Sequence, residues 1–364
     1  MIVNNPFTPV FGSEPSILAG RNRLISDVVS GLENGPGDPH RVTIFTGPRG
    51  SGKTVLLAKI ASEAEQLGWL GIHATATRGM LDSLLEQTRE KAAEFVEDSA
   101  KSHITGVQVG GFGVTRQIAP SSKRSWRSQI SEYLDKLNAL HIGLLITVDE
   151  VTSREDEMIT LITTFQHFIR EKRNVALIMA GLPNNVIQMF QHDSISFLRR
   201  AFLRPLSSVD IPEVRIAIRK TVEIGGKTIA PDALELAANE TNGFPFMIQL
   251  IGYHMFNQAT QKKISAQDVR DGVEIARADM KHMIIDATLR DLSELDLKFL
   301  IAMAQDEGDS RMSDIAKRMD TSPANAGYYR RRLIELGIIT PVGRGRVSIN
   351  IPLLKDWLSK HTTL

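Results

Sequence analysis

The chain has 364 residues, more than one hydrophobic core usually serves, so we expect two or three domains. Its 43 basic and 42 acidic residues nearly balance, which excludes a chain-wide field that would attract nucleic acid or an acidic membrane, so any such partner must meet a local patch. It has no cysteine, which excludes disulfides, thiolate metal sites and cysteine nucleophiles.

The first segments lead from the amino terminus to an apolar strand. Residues 1–7 lack a charged region followed by an apolar stretch, and no apolar run approaches the roughly eighteen residues that cross a bilayer. The sequence therefore predicts a soluble, cytoplasmic protein with no membrane partner. Residues 24–32 predict an amphipathic helix, 34–39 a Gly- and Pro-rich loop, and 42–45 a strand.

Residues 47–54 read Gly-Pro-Arg-Gly-Ser-Gly-Lys-Thr, a complete G-x-x-x-x-G-K-[ST] phosphate loop between a strand and a helix-forming run. Its glycines let backbone N–H groups wrap a phosphate, and the following helix adds its positive end. We expect Lys53 to reach the β- and γ-phosphates and Thr54 to hold Mg²⁺. The predicted nucleotide-binding residues of this loop are Gly47, Pro48, Arg49, Gly50, Ser51, Gly52, Lys53, Thr54 and Val55.

After the loop, residues 69–74 predict a second strand, 79–100 a charged amphipathic helix and 107–115 a β-hairpin. The apolar run 142–151 predicts a central parallel strand that ends in two acids, Asp149 and Glu150. Because a phosphate loop needs a carboxylate at the tip of a neighbouring strand, Asp149 is the predicted second Mg²⁺ ligand. An ordinary solvated loop is the alternative, which the nearby phosphate loop disfavours.

A helix at 157–171 and a buried strand at 175–181 continue an α/β alternation. From about residue 206 the pattern changes to helices only, with no further strand before the C-terminal region, which predicts a helical lid. The predicted helix starts of this lid lie near Pro212, Pro231 and Ser265.

Residues 293–350 predict three helices followed by a β-hairpin, which is the winged helix-turn-helix order. Ser293 caps the first helix, Ser313 starts the second, and Ser322 precedes a proline that opens the third. The segment 311–346 contains eight basic and three acidic residues. Its net charge of +5 would attract a phosphate backbone. Docking on a protein, or on the chain's own core, is the alternative. The candidate DNA-binding residues are Tyr328, Arg330, Arg331, Arg332, Arg344 and Arg346.

With these motifs in one order, the chain resembles AAA+ ATPases of the origin-recognition and archaeal/bacterial STAND-like group over nearly its whole length. The resemblance implies an α/β fold with a three-layer αβα P-loop NTPase core at 1–205, a helical lid at 206–290 and a winged helix-turn-helix domain at 291–364. It also implies ATP or ADP with Mg²⁺ as ligands, and no guanine-reading Asn-Lys-x-Asp motif is evident.

The resemblance assigns roles outside the phosphate loop. Gly20 and Arg21 match the segment that lies near the adenine, and Glu150 stands where these ATPases carry the base that activates water. Asn184 lies in the loop after the strand 175–181, at the position where this family carries a γ-phosphate sensor. The alternative is that it caps a helix that begins before Val186.

The segment 197–206 resembles the arginine-rich stretch that leads into the lid in this family. Its Arg200, and secondarily Arg199, would stabilise γ-phosphoryl charge in cis or across a subunit boundary, with a structural ion pair as the alternative. The predicted catalytic residues are therefore Glu150, Lys53 and Arg200.

The lid departs from initiator ATPases, because residues 241–246 hold no basic residue for the position called sensor 2. Its Gly-x-Pro stretch with Pro245 is similar to STAND switches, whose lid proline packs near the nucleotide. Two functions stay open. One is a slowly hydrolysing ATP switch that couples nucleotide state to DNA binding by the winged helix. The other is a STAND-type signalling ATPase whose winged helix binds a protein partner or another copy of the chain.

Overall fold

The computed structural model describes residues 4–10, 12–102, 124–290, 292–351 and 353–360, so the predicted hairpin 107–115 lies outside the described residues. A parallel sheet forms the centre of the first two hundred residues. Its strands are β1 (Val42–Thr46), β2 (Leu70–Thr75), β3 (Leu144–Asp149), β4 (Val175–Gly181) and β5 (Phe202–Pro205). They lie in the order β2-β3-β4-β1-β5 across the sheet.

Helices cover both faces of this sheet. They are α1 (Asn22–Asn34), α2 (Lys53–Gln66), α3 (Met80–Ser102), α4 (Trp126–Ala139), α5 (Asp156–Arg170) and α6 (Pro183–Gln191), with 3₁₀ segments Pro39–Arg41 and Asp193–Arg200. Neighbouring residues of a strand point to opposite faces. Ile44 accordingly packs in the core beneath α3 to α6, whereas Phe45 packs beneath α1 and α2. This confirms the predicted three-layer αβα core.

Strand β5 was not predicted, because the arginine-rich stretch was interpreted as a lead into the lid. It pairs in parallel with β1, and Ile44 lies opposite Leu203. The strand has four residues and alternates between half-buried and exposed positions. Arg204 and Pro205 are typical of a sheet edge, where a charged side chain and a missing N–H are tolerated.

Three helices after residue 206 begin where the sequence predicted, with prolines in the first turns of two of them and Ser265 as the capping residue of the third. The expectation of helices only is wrong, because β6 (Thr228–Ile229) and β7 (Lys263–Ile264) form a short parallel pair. The lid helices are α7 (Ile211–Ile224), α8 (Pro231–Glu240), α9 (Pro245–Gln258) and α10 (Ala266–Met280), followed by a connector made of the π-helix Lys281–Ile285 and α11 (Asp286–Arg290).

The C-terminal region contains the predicted helices and strand pair. Ser293 and Ser322 cap their helices, but the second helix begins at Met312 after Arg311, so Ser313 is not its cap. A short unpredicted strand completes an antiparallel sheet of order β8-β10-β9. The elements are α12 (Glu294–Ala304), β8 (Ser310–Arg311), α13 (Met312–Arg318), α14 (Pro323–Glu335), β9 (Ile339–Gly343), β10 (Arg346–Ile349) and α15 (Leu354–Lys360).

The lid and the C-terminal region share one hydrophobic core, in which Met280 and Ile285 of the lid side pack in the same cluster as Phe299 of α12. This shared core ties the C-terminal region to the lid. Throughout the described ranges, every helix is too short or too polar to cross a lipid bilayer.

Candidate nucleotide site

The phosphate loop joins β1 to α2 through two glycines in the left-handed region, Gly50 at φ 77° and Gly52 at φ 85°. Side chains other than glycine rarely adopt this conformation. A Cβ atom on Gly50 would also lie 2.7 Å from Cζ of Phe244 in the lid. The loop therefore needs these glycines for its turn and for the close approach of the lid.

Lys53 is 5% exposed, and its ammonium donates hydrogen bonds to the carbonyl oxygens of Gly47 at 3.0 Å and Pro48 at 2.9 Å. Burial lowers the pKa of Lys53, while the carboxylates of Glu150 and Asp149 act in the opposite direction. A bound polyphosphate would stabilise the charged ammonium at this position. An anion bound at the loop would thus meet a buried, largely desolvated ammonium group of Lys53.

Thr54 on α2 and Asp149 at the end of β3 meet although β3 is not adjacent to β1, the strand that leads into the phosphate loop. Strand β4 lies between β1 and β3, so the carboxylate comes from two strands away rather than from the neighbouring strand that the sequence suggested. The hydroxyl of Thr54 still donates to Oδ2 of Asp149 at 2.5 Å. A hydroxyl and a carboxylate side by side fit Mg²⁺, which binds one or two carboxylates together with phosphate oxygens.

Glu150 has a left-handed backbone, with φ 52°, directly after β3. Its N–H donates to Oδ1 of Asp149 at 2.8 Å, and the N–H of Val151 donates to the carbonyl of Ala180 at 2.9 Å. These bonds hold a conformation that costs about 1–3 kcal/mol for a residue other than glycine. The exposed carboxylate consequently faces the same cavity as the phosphate loop.

The loop opens into a cavity of about 420 Å³, which lies within the range of small-molecule sites. Pro245, at the start of α9, lines it, and Cβ of Pro245 would be 3.9 Å from a Cβ atom on Gly52. The rest of the cavity wall includes Thr8, Val10, Ile17, Leu18, Ile248, Gln249, Met283, Ile284 and Thr288. The sequence did not reveal this part of the wall, because these residues carry no motif and meet only in the folded chain.

Gly20 and Arg21 both contact the first residues of the lid, but only Arg21 lines the cavity. Arg21 is 6% exposed, lines the cavity, and donates from Nη2 to the carbonyl oxygen of Ser207 at 2.7 Å. Burial lowers the pKa of Arg21, and the carboxylate of Glu213 opposes that shift. A Cβ atom on Gly20 would lie 2.6 Å from Cγ1 of Val209. Both residues thus join the core to the start of the lid.

Asn184 is the second residue of α6, whose capping position is Leu182. The helix-cap alternative for Asn184 is therefore wrong. Its Nδ2 atom is buried and has no hydrogen-bond partner among the described residues, and its side chain does not line the cavity. The sensor role stays a prediction.

Arg199 and Arg200 lie far from the phosphate loop. Both precede β5, so they stand at the amino edge of the parallel sheet, whereas the loop follows the carboxyl end of β1. Nε of Arg199 donates to the carbonyl of Phe190 at 2.7 Å, and Arg200 lines a different cavity. A contribution of Arg200 to its own chain's site is therefore contradicted by the topology, and the role across a subunit boundary stays a prediction.

The basic residues of the C-terminal region differ in their surroundings. Tyr328 is 60% exposed, and Arg331, Arg344 and Arg346 are exposed. Arg330 is half-buried.

Arg332 is engaged inside the C-terminal region. Its Nε lies 3.1 Å from Oδ2 of Asp296, a carboxylate with 0% exposure on α12. This ion pair joins α14 to α12. Arg332 is therefore committed to a structural contact rather than free for a phosphate backbone, unlike the exposed Arg331 beside it.

Comparisons with known proteins agree with this geometry. A family model described as AAA domain matches residues 38–190, from the segment before β1 into α6. A model described as a domain of unknown function, DUF8462, matches residues 282–358. A search of curated proteins gave no match.

Two solved structures resemble nearly the whole chain. The Walker-type ATPase PABY2304 of Pyrococcus abyssi superposes with a TM-score of 0.68 over 94% of this chain and 96% of that one, at 18% identity. The ORC2 protein of Aeropyrum pernix, solved as ADPNP–ADP complexes, gives a TM-score of 0.59 over 97% and 95%, at 14% identity. At these identities the likeness establishes the fold, which confirms the predicted P-loop NTPase architecture. The AAA domain supports an ATPase enzyme.

Proposed function

We propose that this chain is an ATP-binding switch that hydrolyses ATP slowly and couples nucleotide state to DNA binding by residues 291–364. We assign that region as a winged helix domain, with residues 1–205 as the ATPase core and 206–290 as the lid. The observation that carries the proposal is that the C-terminal region contacts the core beside the nucleotide site while its connector lines the same cavity.

The chemistry of the switch follows from four side chains. Lys53 would bind the β- and γ-phosphates, and Thr54 and Asp149 would hold Mg²⁺. The metal would neutralise charge that develops on the phosphate oxygens. Glu150, held beside the cavity by its strained backbone, would orient the attacking water and accept its proton.

One coupling route runs through the loops at the carboxyl edge of the sheet. Arg154, four residues after Glu150, lies 3.4 Å from Oε2 of Glu335 on α14. Leu182, directly after β4, lies so near Gly337 that a Cβ atom there would be 2.9 Å from Cδ2 of the leucine. A change in either loop on hydrolysis would therefore reach the end of the proposed recognition helix.

A second route runs through the connector between lid and C-terminal region. Met283, Ile284 and Thr288 of this connector line the same cavity as the phosphate loop. The family model for the C-terminal part begins at residue 282, so it spans both the connector and the proposed winged helix. Nucleotide contacts that differ between ATP and ADP states would shift the position of that unit.

Exposed arginines support DNA as the partner. Arg331 on α14, and Arg344 and Arg346 beside the turn between β9 and β10, stand free for phosphates, whereas Arg332 pairs with Asp296. Each phosphate contact contributes a slope of about −0.9 to the dependence of log affinity on log salt.

The test replaces Arg331 and Arg344 with alanine one at a time in the full chain. It measures the binding of each variant to a random-sequence duplex at several salt concentrations. We expect each replacement to weaken binding and to reduce the salt slope by about one. Arg219→Ala is the matched control, because Arg219 is exposed on the lid helix α7. Equal slopes in all three variants and the unaltered chain would contradict DNA contact by this surface.

A STAND-type signalling ATPase is the second candidate, and the lid favours it. Pro245 rather than a basic side chain faces the phosphate loop at the start of α9. In that case the winged helix would bind a protein partner, and exchange of ADP for ATP would be the signalling event. Absence of DNA binding in both nucleotide states would support this function.

A further inference from the structure

We propose that a second cavity, at the amino edge of the parallel sheet, binds a small organic acid with an apolar body. Arg170 and Arg200 would hold its carboxylate, and the apolar side chains of the cavity would cover the rest of the molecule. The inference gives a role to Arg200, which the topology separates from the nucleotide site of its own chain, and it does not depend on the proposed function.

The cavity lies at the end of the core opposite to the phosphate loop. Val42, the first residue of β1, and Val175, the first residue of β4, both line it. Arg170 ends α5, and Arg200 ends the 3₁₀ segment that precedes β5. The phosphate loop follows the other end of β1, so a ligand bound here would leave the nucleotide cavity free.

The size and the apolar wall of this cavity suit a small molecule. Its volume is about 530 Å³, within the range of small-molecule sites. Phe165 is buried, Phe197 is half-buried and Ile169 is 46% exposed, and all three side chains line the cavity. An apolar ligand body would cover the surface that Ile169 and Phe197 leave exposed, and removing that surface from water would favour binding.

Four arginines line the cavity, and two of them already serve the fold. Nε of Arg41 donates to the carbonyl oxygen of Gly31 at 2.8 Å, and Arg41 is only 4% exposed. Arg173 forms ion pairs with Asp135 and Glu171. These two guanidinium groups therefore have partners within the chain.

The other two arginines, Arg170 and Arg200, are exposed and form no hydrogen bond or ion pair with any residue that the structure describes. Asp38 is the one acid among the described lining residues, and its carboxylate already accepts bonds from the N–H of His40 at 2.8 Å and from Nδ2 of Asn34 at 2.9 Å. The cavity thus offers two unpaired positive charges to an entering anion.

This combination of charge and apolar surface selects the class of ligand. A guanidinium group binds a carboxylate with two parallel hydrogen bonds, so a carboxylate head group complements the free arginines. An inorganic anion would leave the apolar wall in water, and an uncharged apolar molecule would leave the guanidinium groups without a partner. An organic acid with an apolar body satisfies both parts of the cavity.

The experiment titrates octanoate and 1-octanol into the full chain by calorimetry, with and without excess MgADP. The two probes have the same chain length and differ in charge. We expect octanoate to bind about tenfold more tightly than octanol, with or without MgADP. Arg170→Ala and Arg200→Ala, made one at a time, should each weaken octanoate binding about fivefold to tenfold and leave octanol binding unchanged.

Two further variants separate the contributions of charge and apolar contact. Ile169→Ser should weaken octanoate and octanol binding alike, by about threefold, because both probes lose the same apolar contact. Arg199→Ala is the matched control, since Arg199 is an exposed neighbour of Arg200 that does not line the cavity and donates to the carbonyl of Phe190. It should change neither affinity. Thermal unfolding of each variant without ligand controls for folding.

Several results would overturn the inference. They are absence of octanoate binding, equal affinities for octanoate and octanol, and an Arg199→Ala variant that weakens octanoate binding as much as Arg200→Ala does. Octanoate binding that disappears when MgADP is present would also overturn it, because the acid would then occupy the nucleotide cavity. None of these results bears on ATP or DNA binding, so the proposed function would stand.

Discussion

Replacing Arg332 with alanine should destabilise the C-terminal region because it leaves the buried carboxylate of Asp296 without its cation. Breaking a buried ion pair by removing one partner costs about 3–5 kcal/mol. The Arg332 side chain is 43% exposed, so water screens part of the pair, and Ser293 keeps its hydrogen bonds to Asp296. We therefore expect a loss of about 2–3 kcal/mol.

The assay is urea-dependent hydrogen exchange of the amides in α12 and α14, measured in the full chain. The control is Arg331→Ala, which removes an exposed arginine from the neighbouring position and should change stability by less than about 0.5 kcal/mol. Equal stabilities in the two variants would refute the assignment of Arg332 to a structural pair. If the assignment holds, weaker DNA binding by the Arg332 variant reports on folding, whereas weaker binding by the Arg331 variant reports on contact.

Three further outcomes follow from the site and from one surface pair. Lys53→Ala should weaken ATP affinity roughly a hundredfold in equilibrium titration, and an unchanged affinity would contradict the phosphate-loop assignment. Glu150→Gln should bind ATP about as well but hydrolyse it about a hundredfold more slowly, so equal turnover would remove Glu150 from its role. The hydrogen bond from Arg318 lowers the pKa of Asp306 and so stabilises the folded state at pH values above the carboxyl's unfolded pKa of about 3.9. This stability should be lost as pH falls from that value through the lower folded-state pKa, and Asp306→Asn should remove that part of the acid sensitivity in a pH series of unfolding.

The features predicted correctly from the sequence are local ones. The phosphate loop, the buried strand before Asp149 and the proline-started lid helices each depend on residues within a few positions of one another. Local patterns survive in any fold that contains them. For the same reason the serine caps of α12 and α14 were found, while the cap of α13 was not, since Arg311 carries no capping signal.

The features that were missed depend on chain direction and on distant partners. Arg200 was assigned to the nucleotide without knowing that β5 runs parallel to β1, which puts the arginine at the opposite edge of the sheet. Arg332 was assigned to DNA binding because its partner Asp296 lies 36 positions away along the chain and was not recognised. One wall of the cavity joins Thr8 to Gln249 across 241 positions, and no sequence spacing signals such a contact.

The most direct test of the coupling is a titration of a labelled random-sequence duplex with the full chain at two salt concentrations, once with ADP and once with a non-hydrolysable ATP analogue. We expect binding that weakens with salt and differs between the two nucleotides, because the C-terminal region contacts a core loop and the connector that precedes it lines the cavity. Salt-sensitive binding that is identical in both nucleotide states would contradict the coupling. Absence of binding in either state would contradict DNA as the partner and would favour the signalling ATPase.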